Sequence, residues 1–170
     1  MEKNEKKSEN SLPMKSLIIL CSYHHHNTEK IAKVFAKVLD AEIETPNQVN
    51  PEKLQEYDLL GFGSGIYSAK HHESLLELTY ELKEVDNKKA FLFSTAGITG
   101  KSKAFKDHTA LREKLELKGY IIVDEFQCKG FNTNSFLKLF GGMNRGRPNA
   151  DDLKNAEEFA VNLKKNFNLI

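Results

Sequence analysis

Seven consecutive side chains, Ser22, Tyr23, His24, His25, His26, Asn27 and Thr28, can all form hydrogen bonds. Two aliphatic hydroxyls, a phenol, three imidazoles and a carboxamide in one short loop suit an anion such as a terminal monophosphate. The same residues could instead cap a helix in water, or offer imidazoles to a metal. Against a metal, three adjacent imidazoles diverge, whereas metal ligands usually come at helical or hairpin spacing, so no metal site is expected. The loop contains no glycine and matches neither G-x-G-x-x-G nor G-x-x-x-x-G-K-[ST]. That sets aside a simple dinucleotide fingerprint and a nucleotide triphosphatase loop.

Two later stretches are also small and polar: Ser64-Gly65-Ile66-Tyr67, and Ser94-Thr95-Ala96-Gly97 running on to Gly100. Tyr67 offers a ring to stack on a flat ligand, with a packed surface aromatic as the alternative. The glycines beside Ser64 and Ile66 let backbone approach a ring edge, and residues 94–97 can offer main-chain donors without bulk. His24, His25, His71 and His72 place protonatable groups near these stretches, or are solvated surface residues.

The elements that must position these residues are legible from periodicity. Leu17 to Leu20 is a continuous apolar run, the habit of a strand buried on both faces of a parallel sheet. From Ile31 the period becomes helical, with Ile31, Val34, Phe35 and Val38 on one stripe, so the polar loop lies at a helix N-terminus, a ready anion site. Ala41–Glu44 reads as a short edge strand before the breakers Thr45-Pro46 and Asn50-Pro51. Residues 58–63 and 89–93 read as the third and fourth strands, and Tyr120 opens a fifth that continues as far as Cys128. Helices follow at Leu75, Leu78, Thr79 and Leu82, and at Phe105, Leu111 and Leu115 as far as Gly119. The last helix, after Pro148 and Asn149, carries Leu153, Ala156, Ala160, Leu163 and Phe167. Alternating strand and helix implies an α/β domain whose strand-end loops share one edge, where ligands bind. That gathers residues 22–28, 64–70 and 94–100 into one crevice.

Among 170 residues, 39% are hydrophobic and 29% charged, which fits one globular domain over residues 14–170. Residues 1–13 hold three lysines and three glutamates with almost nothing apolar, and read as a mobile tail rather than a signal peptide. No apolar run approaches the ~20 residues of a membrane span. A net charge of +1 lacks the basic excess of a nucleic-acid binder. Residues 129–150 contain no acid, four bases (Lys129, Lys138, Arg145, Arg147), and the apolar Phe131, Phe136, Leu139 and Phe140. This insertion is either a lid or contact surface, or a short helix over the strand ends with solvated bases.

The first loop resembles the phosphate loop of the flavodoxin family, Ser/Thr-x-Thr-Gly-Asn-Thr before a helix opening Glu-x-x-Ala. Asn27-Thr28-Glu29 and Ala32 match its second half, while His24-His25-His26 stands where the family has a Thr-Gly pair, with one extra residue. Residues 64–67 look like the family's loop over one ring face, and 94–100 like its second ring loop. The resemblance implies a flavodoxin-like doubly wound sandwich, a five-stranded parallel sheet in order 2-1-3-4-5 with helices on both faces. In that order three strand spacings of ~4.8 Å separate Cys21 from Cys128, beyond disulfide reach, and the two thiols fit a reducing, cytoplasmic setting. It further implies that residues 22–28, 64–67, 94–97 and Gly100 bind FMN, and that the protein carries electrons. The alternatives are an oxidoreductase acting on a quinone or protoporphyrinogen-type substrate, whose flavodoxin-like relatives have a similar isoleucine and tyrosine loop followed by histidine, and a module that has lost its cofactor. Flavodoxins are strongly acidic, and this chain is near neutral with a basic insertion, which turns the expected redox partner toward something acidic, or toward a small redox substrate.

Overall fold

The computed structural model describes residues 13–167. The expected mobile tail falls, but for Pro13, outside the described residues. The chain forms β1 (Ser16–Cys21), α1 (Asn27–Leu39), β2 (Ala41–Glu44), β3 (Leu59–Tyr67), β4 (Lys70–His71), α2 (Glu73–Glu81), β5 (Lys88–Ala96), α3 (Lys101–Leu117), β6 (Tyr120–Lys129) and α4 (Ala150–Phe167). Short 3-10 helices cover Pro51–Glu56 and Ser135–Phe140.

The sheet runs β2-β1-β3-β5-β6, all neighbours parallel, with β4 antiparallel to the end of β3. The main path is the anticipated 2-1-3-4-5 order, and the two-residue β4 makes a sixth strand. Period-2 alternation divides its residues between two cores. Leu17, Ile19, Leu60, Phe62 and Leu92 face α2 and α3 through Leu75, Leu78, Leu111 and Leu115. Ile18, Leu20, Leu59, Phe91 and Phe93 face α1 and α4 through Ile31, Phe35, Ala156, Ala160 and Leu163. Val34 and Val38, expected on the α1 stripe, are only half-buried, and Leu39 takes the buried place instead. Phe105 is a correction: it is 62% exposed on α3, with the Arg112 guanidinium 4.2 Å above its ring.

Phe35 is the keystone of the α1–α4 side. It makes edge contacts with Phe91, Phe93 and Phe126 at 5.1–5.7 Å, and a tilted one with Phe159. Room for these rings comes from β3. A Cβ on Gly61 would stand 2.4 Å from Phe91 Cζ, and one on Gly63 2.1 Å from Phe93 Cζ. Gly119 ends α3 at φ +88°, where a side chain would strike the Val85 carbonyl. At the other end of the domain, Asn149 and Asp152 cap α4 reciprocally, each accepting from the other's backbone N–H at 3.1 and 2.9 Å.

β3 and β5 run longer than their apolar runs, so Ser64 pairs with Ser94 and Gly65 with Thr95 inside the sheet. β3 then folds back through Ser68 (φ 49°) and Ala69 (φ 59°) into β4. Two left-handed residues are what a tight hairpin of this twist requires.

Replacing Phe35 with alanine is expected to lower unfolding stability by ~3–5 kcal/mol, read from the urea midpoint at unchanged m-value.

Candidate cofactor site

At the carboxyl edge of the sheet one cleft is lined by Ser22, Tyr23, His24, Asn27, Thr28, Gly65, Ile66, Tyr67, Thr95, Ala96 and Gly97, together with Gly130, Phe131, Asn132 and Asn134. The three expected loops therefore meet in one place. The last four residues were not among the expected binding residues; they belong to the acid-free segment 129–150, read from the sequence as a lid or contact surface or as a short helix over the strand ends. Five expected residues do not line the cleft. Ser64 and Ser94 lie fully buried below it, His25 and His26 turn to other partners, and Gly100 opens α3.

The α1 end of the cleft presents donors. The first N–H groups of a helix lack intrahelical acceptors, and His26 at the N-cap makes no side-chain cap bond. Ser22 Oγ accepts from Glu29 N at 3.2 Å, which leaves its own proton free to donate. Thr28 and Thr95, both buried, share a 2.9 Å hydroxyl contact that uses one of their two protons and leaves one O–H donor. Glu29, the acid nearest this helix end, is held below the usual carboxylate range by Lys33, 2.6 Å away, and by His26 at 2.7 Å, against the opposing effect of desolvation. The helix dipole adds positive potential.

Asn27 carries a further signal. Its Nδ2 donates to the Phe131 carbonyl at 2.8 Å, while its buried Oδ1 has no partner among the described residues, so the cleft wall holds an acceptor suited to a donor. The opposite end is aromatic. Tyr67 is 5.4 Å from the His72 ring and 6.1 Å from that of His24, and Tyr23 is 5.2 Å from His72. Burial raises the Tyr67 phenol, with Cys21 and Tyr23 adding to it, so Tyr67 stays neutral as a stacking surface. Gly97 is a close approach: a Cβ there would lie 2.4 Å from Met143 Cε.

His25 (φ 55°) and His26 (φ 50°) occupy left-handed conformations. His25 rests on Phe131 at 4.5 Å and bonds Thr133 Oγ1 at 2.8 Å, whereas His26 bonds Glu29. With His24 beside Tyr67, the three imidazoles diverge. Among the described residues no group of three or more His, Cys, Asp or Glu is placed to hold a metal ion. Cys21 and Cys128 are buried free thiols, and burial raises both, Cys128 to about 12.

Below the cleft lies a buried polar network. Ser64 Oγ meets His71 Nδ1 at 2.9 Å, Ser94 Oγ meets His108 Nε2 at 2.8 Å, and the two imidazoles lie 4.7 Å apart with their planes tilted by 36°. His108 Nδ1 contacts Glu125 at 2.9 Å, and Arg112 donates to the same carboxylate at 2.5 and 2.7 Å. Burial would raise the Glu125 carboxyl, but its bonds with His108 and Arg112 outweigh that and hold it low. Desolvation, then His108 and Arg112, push His71 well below its ordinary value.

Residues 18–163 match the family model described as flavodoxin domain, and the chain belongs to that family. It is 50% identical over 153 residues to an uncharacterised protein of Methanocaldococcus jannaschii, covering 90% of this chain and 100% of that one. Among solved structures it is similar to oxidised flavodoxin 2 from Bacillus cereus (TM-score 0.66, 18% identity, 89% of this chain and 99% of the other). It is also similar to a flavodoxin from the domain Archaea (TM-score 0.61, 15% identity, 91% and 99%). At these identities the structural likeness establishes the fold.

Because His71 is neutral when folded but protonates near pH 6.5 when unfolded, the unfolded state binds the extra proton and stability falls as pH drops below about 6.5. One such proton corresponds to ~1.4 kcal/mol per pH unit. Urea midpoints of the wild type should decline between pH 7.5 and 5 more steeply than those of His71→Asn; parallel declines would remove His71 as the cause.

Proposed function

We propose that the protein binds FMN non-covalently in this cleft and carries electrons between redox partners. The observation that carries the reading is the meeting, in one cleft, of a helix N-terminus without a side-chain cap, an aromatic wall from β3, and the small loop after β5. The phosphate would be held by the amides at Asn27 and Thr28 with the hydroxyls of Ser22, Thr28 and Thr95. Asn27 Oδ1 is an acceptor suited to a ribityl hydroxyl. Tyr67 and residues 95–97 would flank the ring, with His24 and Tyr23 at its rim. Ser64, Ser94, His25, His26 and Gly100 would then support the site without lining it. Bound flavin supplies the redox chemistry, and these residues supply binding, orientation and electrostatics.

A second reading, a flavin-dependent oxidoreductase acting on a quinone or protoporphyrinogen-type substrate, is favoured by a groove beside the cleft. It is lined by Tyr23, His24, Tyr67, Lys70, His72 and Glu73, with Lys70 3.3 Å from Glu73, so aromatic and charged groups stand next to the proposed flavin position. Rapid oxidation of a reduced quinone by the loaded protein, without a protein partner, would select it.

Purified protein incubated with FMN and dialysed should retain flavin absorbance near one equivalent. Protein that refuses the cofactor would reject both readings and leave a module without flavin. Thr28→Val should weaken FMN binding about tenfold, by the loss of one charge-assisted bond, with little effect on riboflavin. Tyr67→Ala should weaken both ligands alike. Fluorescence quenching titrations separate the two effects, and equal losses for FMN and riboflavin in Thr28→Val would displace the phosphate from α1.

A further inference from the structure

We propose that the acid-free arm from Lys129 to Arg147 is the docking surface for an acidic redox protein. The inference takes its purpose from the electron-carrier reading, but its geometry stands apart from it. The base of the arm is fixed at the cleft. Asn132 and Met143 exchange backbone hydrogen bonds of 2.9 and 2.8 Å. Asn144 Nδ2 donates to the Gly97 carbonyl at 2.6 Å, tying the arm to the loop after β5. Phe131, Asn132 and Asn134 themselves line the cleft. A partner bound to the arm is therefore held on a segment whose base lines the cofactor cleft.

The arm and the β5 loop to which it is tied carry exposed apolar and basic groups. Leu139 is 84% exposed and Phe140 81%, and Ile98, one residue from the Gly97 anchor, is 67% exposed. Lys129, Lys138 and Arg145 are exposed and make no ion pair among the described residues, whereas Arg147 is committed to Asp152 at 2.8 Å. An apolar centre with a charged rim is the anatomy of a protein interface. Opposite charge on the partner would speed encounter and set its orientation, and a small contact suits transient electron exchange.

Two other occupants fit less well. Three free bases fall short of the ~4–8 that mark a site for anionic lipid, and a six-residue 3-10 helix has too little apolar face to lie in a bilayer surface. A second copy docking arm to arm would bring like charges together.

The test uses FMN-incubated full-length protein and a fluorescently labelled [2Fe–2S] ferredoxin chosen for its net negative charge, with titrations at low and physiological salt. Ferredoxin should bind, and bind more weakly as salt rises. The pair K138E/R145E should weaken binding about tenfold at low salt. The pair L139S/F140S should weaken it at both salt concentrations. K37E/K53E, which changes the same number of charges at exposed sites away from the arm, should bind as the wild type does. Equal loss in K37E/K53E, no binding of ferredoxin, tighter binding of basic cytochrome c or of phosphatidylserine vesicles, or self-association through the arm would each overturn the proposal. Flavin content, read by absorbance in the same samples, keeps the two ideas apart. Arm-dependent ferredoxin binding by protein that takes up no flavin would reject the carrier reading alone, and flavin uptake with no arm-dependent binding would reject the docking surface alone.

Discussion

Everything at the cleft depends on parallel pairing along β2-β1-β3-β5-β6. Parallel neighbours must be joined by crossovers, and right-handed crossovers return each chain segment to the same starting edge. All carboxyl ends therefore lie together. β1 sits between β2 and β3, so successive connections leave it in opposite directions, and the crevice opens at that reversal. The loop from Ser22 to Thr28, the β3 hairpin and the loop after β5 occupy its rim because the sheet leaves them no other edge. The two apolar cores fix the sheet's faces, and α1, pinned through Phe35, is aimed with its N-terminus into the crevice.

The buried network beneath the rim has a different task. Ser64 and Ser94 are register partners on β3 and β5, and each leads directly into a segment lining the cleft. Polar groups at this depth are costly unless bonded, and these are joined through His71 and His108 to Glu125 and Arg112. Ser94 on β5 is thereby tied by hydrogen bonds to α3 and β6, while the β3–β4 hairpin meets α3 through the ring contact of His71 with His108. Gln127 Nε2 donates to Ser94 Oγ at 3.1 Å, and His71 Nε2 and Gln127 Oε1 are buried atoms without partners among the described residues.

The histidine loop makes its left-handed turn without glycine. Left-handed φ at His25 and His26 costs ~1–3 kcal/mol for each residue. Histidine is among the side chains that visit this region more readily than most. The Phe131 ring, the Thr133 hydroxyl and the Glu29 carboxylate hold the two imidazoles in place and offset that cost. The loop is thus closed by the arm that follows β6, and arm and loop form one wall of the cleft.

The amino-acid order alone determined the alternation of strand and helix, the buried faces of most elements and the meeting of three loops, because periodicity and the shared carboxyl edge of a parallel sheet are local or topological properties, whereas the strand order followed from the resemblance of the loops to the flavodoxin family. It did not reveal that β3 and β5 extend through Ser64–Tyr67 and Ser94–Ala96. Glycine and serine have low strand propensity, and only pairing with a neighbouring strand holds them extended. Nor did it reveal that Gly130–Asn134 complete the cleft, that Phe105 is exposed, or that Ser64 and Ser94 turn inward to histidines seven and fourteen residues away. Those are contacts between elements, and distances across the sheet exist only once the chain has folded.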